Sequence, residues 1–241
     1  MSKQVLGIIP ARGGSKGIPN KNIRLLAGHP LMGYTADVAR TSGIIDRLIL
    51  STDSQEIAKV GQSLGIEVPF IRPSELAQDD TPMQPVVEHA VMELERKGWS
   101  PALVVLLQPT APLRKPYHLV EAISLLETTG CDSVVSVVEI PKHFSPHYLM
   151  KILDGRLLNF LPEGQKITRR QDVVPAYSRD GAIYAIRRDV LMIEHTLYGK
   201  DCRPLIIPTE ESVNLDTLED WERAEELLAN YTPSTCVRPS D

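Results

Sequence analysis

The stretch Gly13, Gly14, Ser15, Lys16, Gly17, close behind an apolar run that ends at Pro10, spells two different chemistries. Read as G-x-S-x-G, it is a hydrolase nucleophile elbow with Ser15 as the nucleophile. Read as small residues among cations, it is a cradle whose backbone N–H groups converge on phosphate oxygens. Arg12, Lys16, Lys21 and Arg24 crowd the same segment, and the first 36 residues hold no Asp or Glu. An elbow needs an earlier loop to complete its oxyanion hole, a helix directly after the serine, and then Asp or Glu and His in chain order. Here the serine follows the first strand-like run, Pro19 interrupts the helix that should begin, and none of the six histidines is marked as a base. Clustered cations have little use around an acyl-transfer serine, whereas a nucleoside triphosphate carries charge that must be screened before a nucleophile can approach. The cradle fits better, although it matches neither the Walker A pattern nor G-x-G-x-x-G.

The elements that position such a loop follow from periodicity. Short apolar runs alternate with helical patterns: QVLGIIP, PLMGYTADVARTSG, DRLILST, SQEIAKVGQSLG, VPFIR, TPMQPVVEHAVMELERKG, ALVVLLQP, PYHLVEAISLLETTG and DSVVSVVE. This alternation predicts an α/β fold: three layers, with a mostly parallel, Rossmann-like sheet between helices. The first loop then lies at the carboxyl end of the first strand, where open α/β sheets place ligands. Asp53 with Glu56 has capping-box spacing, Thr81 before Pro82 reads as an N-cap, and Gly130 as a helix stop. After residue 140 the alternation breaks, and about 140–180 reads as a small irregular insertion, a dimerisation arm or a lid. AIYAIRRD resumes a strand, PLIIP forms another, and LEDWERAEELLAN is an amphipathic helix. Residues 1–230 are expected to form one domain, and 231–241 a disordered tail.

Bulk properties exclude several classes. With 42% hydrophobic and 24% charged residues, and no apolar run near the ~18 residues of a membrane span, no membrane helix is expected. The N-terminus reads as a strand rather than a signal peptide, which points to the cytoplasm. A net charge of −5 argues against a nucleic-acid partner. Cys131, Cys202 and Cys236 are odd in number and far apart, which argues against a disulfide framework and against a structural zinc site built from C-x-x-C pairs.

The run IIPARGGSKGIPNKNIRLLAGHPL resembles the start of the acylneuraminate cytidylyltransferases, which make CMP-sialic acids and related CMP-nonulosonates. STDSQEIA, PFIRPSELAQDDTP, LLQPTAPLR, RRQDVVPAYSRDGAIY and SVNLDTLEDW match further blocks in order, so the resemblance covers roughly residues 3 to 230. It implies a nucleotidyltransferase fold, CTP and a nine-carbon 2-keto sugar acid as substrates, Mg2+ as cofactor and a homodimer. By position it puts Arg12, Ser15, Lys16 and Lys21 on the triphosphate and Asn22 on the nucleotide, with Arg72 and Thr81 completing that pocket. Gln108 falls between nucleotide and sugar. Arg170, Gln171 and Tyr184 become the sugar-binding set, with Tyr198 against the acyl group. Lys21, Arg12 and Asp216 carry the catalysis. The block at Val213 to Asp216 departs from the family's D-x-D by holding Asn214, so the implied metal ligands are Asp216 and Asn214. Likewise Ser178, Arg179, Asp180 and Gly181 stand where the family has Arg-Asn-Gly or Arg-Pro-Asn-Gly, which leaves the identity of the sugar open. A Kdo-like acid, GTP in place of CTP, and a non-catalytic nucleotide-binding protein are the rival readings.

Overall fold

The computed structural model describes residues 4–14, 17–162 and 173–229. Four apolar runs become strands that run parallel to one another: β1 (Val5–Pro10), β4 (Arg47–Ser51), β5 (Leu103–Leu106) and β6 (Ser133–Glu139). With β9 (Tyr177–Arg187) and β10 (Cys202–Ile206) they form a six-stranded sheet of order β10-β6-β9-β5-β1-β4. β9 runs antiparallel between β5 and β6, and every other pairing is parallel.

The pleat sorts side chains onto two faces. Ile9, Leu50, Val105, Leu107, Ile183 and Ala185 face helices α1 (Leu31–Ser42), α2 (Gln55–Ser63) and α4 (Pro116–Thr129). Their sequence neighbours Leu6, Ile8, Ile49, Val104, Leu106 and Ile186 face α3 (Met83–Arg96) and α5 (Arg188–Glu194). The near-continuous apolar runs arise because both faces are covered. A third cluster joins α6 (Leu218–Ala229), through Trp221 and Ala224, to Ile18, Leu26, Leu31, Val213 and Leu215. It ties the segment after the first loop to the segment holding Asn214 and Asp216. Here β2 (Leu25–Leu26) and β3 (His29–Pro30) form a small hairpin.

Several expectations are corrected. VPFIR does not form a strand: Glu67 makes one parallel bridge to Ile49, and Arg72 N donates to Thr52 O at 2.8 Å. Pro69 and Pro73, which lack N–H donors, prevent a ladder there. Ser54, not Asp53, caps α2, its side chain accepting from Ile57 N at 3.4 Å. Thr81 caps nothing, since α3 begins at Met83 and the Thr81 hydroxyl donates to Glu75 O at 3.4 Å. AIYAIRRD ends as a strand at Arg187, and Arg188 opens α5. Gly130 does end α4, in the left-handed conformation at φ 71°.

Within 140–180, β7 (Met150–Leu153) and β8 (Arg156–Asn159) form an antiparallel hairpin outside the main sheet. Asp154 and Gly155, at φ 50° and 72°, make its two-residue turn, a pairing that Asp-Gly favours. Ile152, Leu153, Leu157 and Phe160 of this segment are all exposed. The expected tail, 231–241, lies outside the described residues.

Leu6 is fully buried between β1 and α3. Leu6→Ala is expected to cost about 2–5 kcal/mol of stability, read from the urea midpoint at constant slope.

Candidate functional site

The carboxyl ends of β1, β4 and β5 converge. Ala11 N donates to Ser51 O at 3.0 Å and Leu107 N to Ile8 O at 2.9 Å, carrying the ladders just past the strand ends. Beyond them lies a cavity of about 400 Å³ lined by Arg12, Gly17, Lys21, Asn22, Arg72 and Gln108, with Asn214 and Asp216 on its far side. Asp53, read as a cap, instead accepts from Gly13 N at 2.9 Å and pins the start of the glycine loop. Ser15 and Lys16 lie outside the described residues.

Each cation is held differently. Arg12 bridges to Asp79 at 2.6 Å. Arg72 is almost fully buried, and donates to Ser51 Oγ at 3.1 Å, to the Ser51 carbonyl and to Leu76 O at 3.4 Å. Burial lowers its pKa to about 10 against the pull of Asp53, so it stays charged at neutral pH. It holds the 72–76 loop on β4 while lining the cavity. Lys21 Nζ reaches across the chain to Leu215 O at 2.8 Å and to Asp216 Oδ1 at 3.5 Å. Asn22, buried, donates to Arg12 O at 3.1 Å. Arg24, part of the basic cluster in sequence, leaves the site and stacks on Trp221 at 5.0 Å. Thr81 lines neither this cavity nor the next.

Gly17 is there for space. A Cβ on it would fall 2.6 Å from the Asp216 carbonyl oxygen, a backbone atom that cannot step aside. Thr217 caps α6, accepting from Asp220 N at 3.1 Å while Asp220 accepts from the N–H groups of Asp216 and Thr217. Capping is thus done by Thr217 and Asp220, and the Asp216 carboxylate faces the cavity, accepting from Asn214 Nδ2 at 2.8 Å. Among the described residues no three His, Cys, Asp or Glu side chains gather as a metal cluster. A cation here would draw on two protein oxygens, the Asp216 carboxylate and the Asn214 amide turned to present Oδ1. That donor set suits magnesium, which takes one or two carboxylates and completes its shell with water and phosphate oxygens.

A second cavity, about 510 Å³, shares Met83, Gln108 and Asn214 with the first. Gln84, Leu106, Arg179, Asp180, Tyr184, Thr196 and Tyr198 are among the residues that complete it. Tyr184 is buried, which raises its pKa, and its ring meets Tyr198 edge-on at 6.2 Å. The expected sugar-binding residues Arg170 and Gln171 lie outside the described residues.

The junction of the cavities depends on residues that sequence reasoning missed. Val135 pairs with Tyr184 and Val137 with Arg179, so 180–183 bulge from β9 opposite Ser136. Asp180 Oδ1 fills the bulge, accepting from Ser136 Oγ at 2.5 Å and Ala182 N at 3.1 Å, while Oδ2 accepts from Ser212 Oγ at 3.3 Å. Gly181, at φ 77°, brings the backbone so close to Gln108 that a Cβ would fall 2.6 Å from Oε1. Arg114, buried, donates to Gln108 O at 2.7 Å, Ala182 O at 2.8 Å and Thr35 Oγ1 at 3.1 Å. Burial lowers its pKa to about 10, opposed by Asp180. Arg114 stands in LLQPTAPLR, where an arginine after two prolines reads as a surface loop residue. Asp180 carries a signal only as a departure from the family pattern. Its carboxylate accepts from Ser136, Ala182 N and Ser212, while the exposed side chain of its neighbour Arg179 reaches along the second cavity to Tyr198.

A three-layer, mostly parallel sheet with a cation-lined cavity at its strand ends, opening into a second one, is an architecture suited to nucleotide transfer. The chain belongs to the cytidylyltransferase family, whose profile it matches over residues 6–231, and it is an enzyme of that kind. It is 34% identical to the CMP-N,N'-diacetyllegionaminic acid synthase of Legionella pneumophila over 93% of this chain and 96% of that one. It is 30% identical to the pseudaminic acid cytidylyltransferase of Campylobacter jejuni, over 91% of this chain and 94% of that one. The N-acylneuraminate cytidylyltransferase of Streptococcus agalactiae is 33% identical over 89% of this chain, which spans about half (51%) of that relative's length. The fold is that of CMP:2-keto-3-deoxy-manno-octonic acid synthetase complexed with CTP, with TM-score 0.70 at 17% identity, covering 94% of this chain and 98% of the other. No described helix is long and apolar enough to cross a membrane.

Below the junction, His118 is buried with Nε2 2.9 Å from Glu211, and burial lowers its pKa to about 4 despite that carboxylate. The unfolded chain takes up this proton near pH 6.5, so stability present above 6.5 is lost as pH falls towards 4. The loss is on the order of 3 kcal/mol. Urea midpoints between pH 7.5 and 4.5 should fall less in His118→Gln than in the unaltered chain.

Proposed function

We propose that the chain transfers CMP from CTP to the anomeric hydroxyl of a nonulosonic, nine-carbon 2-keto sugar acid, with release of pyrophosphate. The observation that carries this reading is the pair of cavities meeting at Met83, Gln108 and Asn214, the first lined by Arg12, Lys21 and Arg72. The names of the relatives, synthases and cytidylyltransferases of legionaminic, pseudaminic and acylneuraminic acids, support the same chemistry. CTP sits in the first cavity and the sugar acid in the second. Its hydroxyl attacks the α-phosphorus in line, forming a P–O bond as the bond to the β-phosphate oxygen breaks, with no covalent enzyme intermediate.

Arg12 and Lys21, with Ser15 and Lys16 of the same loop, bind the triphosphate and stabilise charge on the departing pyrophosphate. Gln108, clamped between Arg114 and Gly181, orients sugar and nucleotide at the junction, so rate comes from positioning. Arg170 and Gln171 join Tyr184 and Tyr198 on the sugar acid, where a guanidinium can grip its carboxylate in bidentate fashion. Asp216 and Asn214 would hold magnesium, which would withdraw charge from the phosphate oxygens. CTP is a cytoplasmic metabolite, and the reaction belongs in that compartment.

We also read the chain as a homodimer. Ile152 and Leu157 are 78% and 64% exposed on a hairpin that the described residues leave uncovered, and a lone hairpin is marginally stable in water. Ile152→Asp with Leu157→Asp should convert a dimer to a monomer in light scattering; an unaltered dimer mass would refute the arm as the interface.

Pyrophosphate release with each NTP over a panel of nonulosonic acids and Kdo tests the reaction. Turnover is expected with CTP and a nonulosonic acid, and tight CTP binding without pyrophosphate would make the chain a binding protein. Asp216→Ala should lower kcat by at least about a hundredfold while leaving the unfolding free energy within about 0.5 kcal/mol, because its exposed carboxylate would act through the cation it holds against the reacting phosphate.

A further inference from the structure

The second cavity ends in a wall made by Arg179 and Tyr198. Arg179 Nη1 donates to the Tyr198 hydroxyl, and its guanidinium carbon lies 5.8 Å from the ring centroid. The loop carrying Thr196 and Tyr198 is held at both ends. At one end His195, at φ 53°, sets Nδ1 2.9 Å from Glu88 Oε1, which also accepts from the cavity residue Gln84 at 2.8 Å. At the other, Asp132 Oδ2 accepts from the N–H groups of Lys200 and Asp201 at 2.8 and 2.9 Å. Behind the wall lies a recess of about 190 Å³ whose surface is mostly apolar, lined by Val135, Val137, Cys202, Arg203 and Pro204 and also bordered by Arg179 and Tyr198. The same two side chains therefore face the cavity on one side and an apolar space on the other. Among the described residues that line the second cavity, Arg179 is the only Lys or Arg.

The wall is the end of the cavity away from the nucleotide. Arg179, Thr196 and Tyr198 do not line the first cavity, whereas Met83, Gln108 and Asn214 line both. A sugar acid with its anomeric carbon at the shared end brings its distal substituents to the wall. We propose that Arg179 determines specificity there: its N–H groups not engaged by Tyr198 donate to the carbonyl oxygen of a distal acylamino group. The Tyr198 ring, held by Arg179, stops the acyl chain from entering the recess. An acceptor bonded to a guanidinium is discriminated more strongly than apolar bulk, because an analogue without it leaves the donors unpaired. The inference rests on the second cavity being the sugar-acid site.

The test uses CTP with N-acetylneuraminic acid and N,N'-diacetyllegionaminic acid, each as the acetylated, free-amine and N-butanoyl form, against the unaltered chain and Arg179→Ala. The exposed position of Arg179 should leave the unfolding midpoint unchanged. Arg179→Ala is expected to lower kcat/KM for the acetylated sugar by about ten- to a hundredfold and to narrow the acetyl over free-amine preference to match. It should also raise relative turnover of the butanoyl form and leave KM for CTP within about twofold, since Arg179 stands outside the nucleotide cavity. Tyr198→Phe, which removes only the hydroxyl that Arg179 donates to, should narrow the preference severalfold. An equal loss on all three forms of an active sugar would overturn the role of Arg179 while leaving the proposed reaction standing. Absence of pyrophosphate from the unaltered chain with every sugar would overturn both.

Discussion

The bulge in β9 is the constraint on which the site turns. A regular antiparallel strand between β5 and β6 would alternate its side chains and pass the strand ends without approaching them. Four residues set against Ser136 bend it instead, and Gly181 brings bare backbone against the Gln108 side chain. Such a bend leaves polar groups without ladder partners. Asp180 answers them with bonds to Ser136, Ala182 N and Ser212, and Arg114 takes the Ala182 and Gln108 carbonyls. Two buried charged groups are thereby spent on one backbone irregularity. They are sustained by near-complete hydrogen bonding, without which burial would cost several kcal/mol for each.

The other side of the site is closed by contacts between chain segments more than 100 residues apart. Lys21 bonds the Leu215 carbonyl, Gly17 lies against the Asp216 carbonyl, and Leu215 N donates to Thr110 O at 2.9 Å. The small cluster around Ile18, Leu215 and Trp221 supplies the apolar support that makes these polar contacts geometrically certain. The glycine loop, the loop after β5 and the Asn214 to Asp216 segment thus form one rim. Its cations Arg12 and Lys21 are already held by Asp79 and the Leu215 carbonyl, so an anion bound there would have little of their conformational freedom to remove.

The resemblance drawn from sequence blocks and the family match agree because blocks far apart in the chain are the same residues that meet in this rim. Periodicity identified the sheet strands and the long helices, since burial on both faces leaves its mark in uninterrupted apolar runs. It misread VPFIR, whose apolar residues lie alongside β4 without a ladder, because prolines rather than hydrophobicity decided its hydrogen bonding. The Asp154-Gly155 turn was written in the sequence in the form two-residue hairpins favour, yet the flanks MKIL and RLLN show no regular alternation of apolar and polar residues to mark them as strands. Arg24 shows the limit of counting charge along a chain. It stands beside Arg12 and Lys21 in sequence, and its side chain stacks on Trp221 instead.

Residue type and spacing alone determined that a loop of small residues and cations follows the first strand of an α/β sheet, because small residues, cations and strand runs are local properties. They also determined the segments that carry Lys21, Gln108 and Asp216. Only the tertiary structure decided that Asp53 holds the loop rather than capping a helix, and that Asp180 supports the backbone while Arg179 faces the cavity. It alone paired Gly17 with Asp216 and Gly181 with Gln108. These assignments depend on which backbone atoms approach within a few ångströms across the fold, and that distance is a property of packing with no counterpart in local sequence.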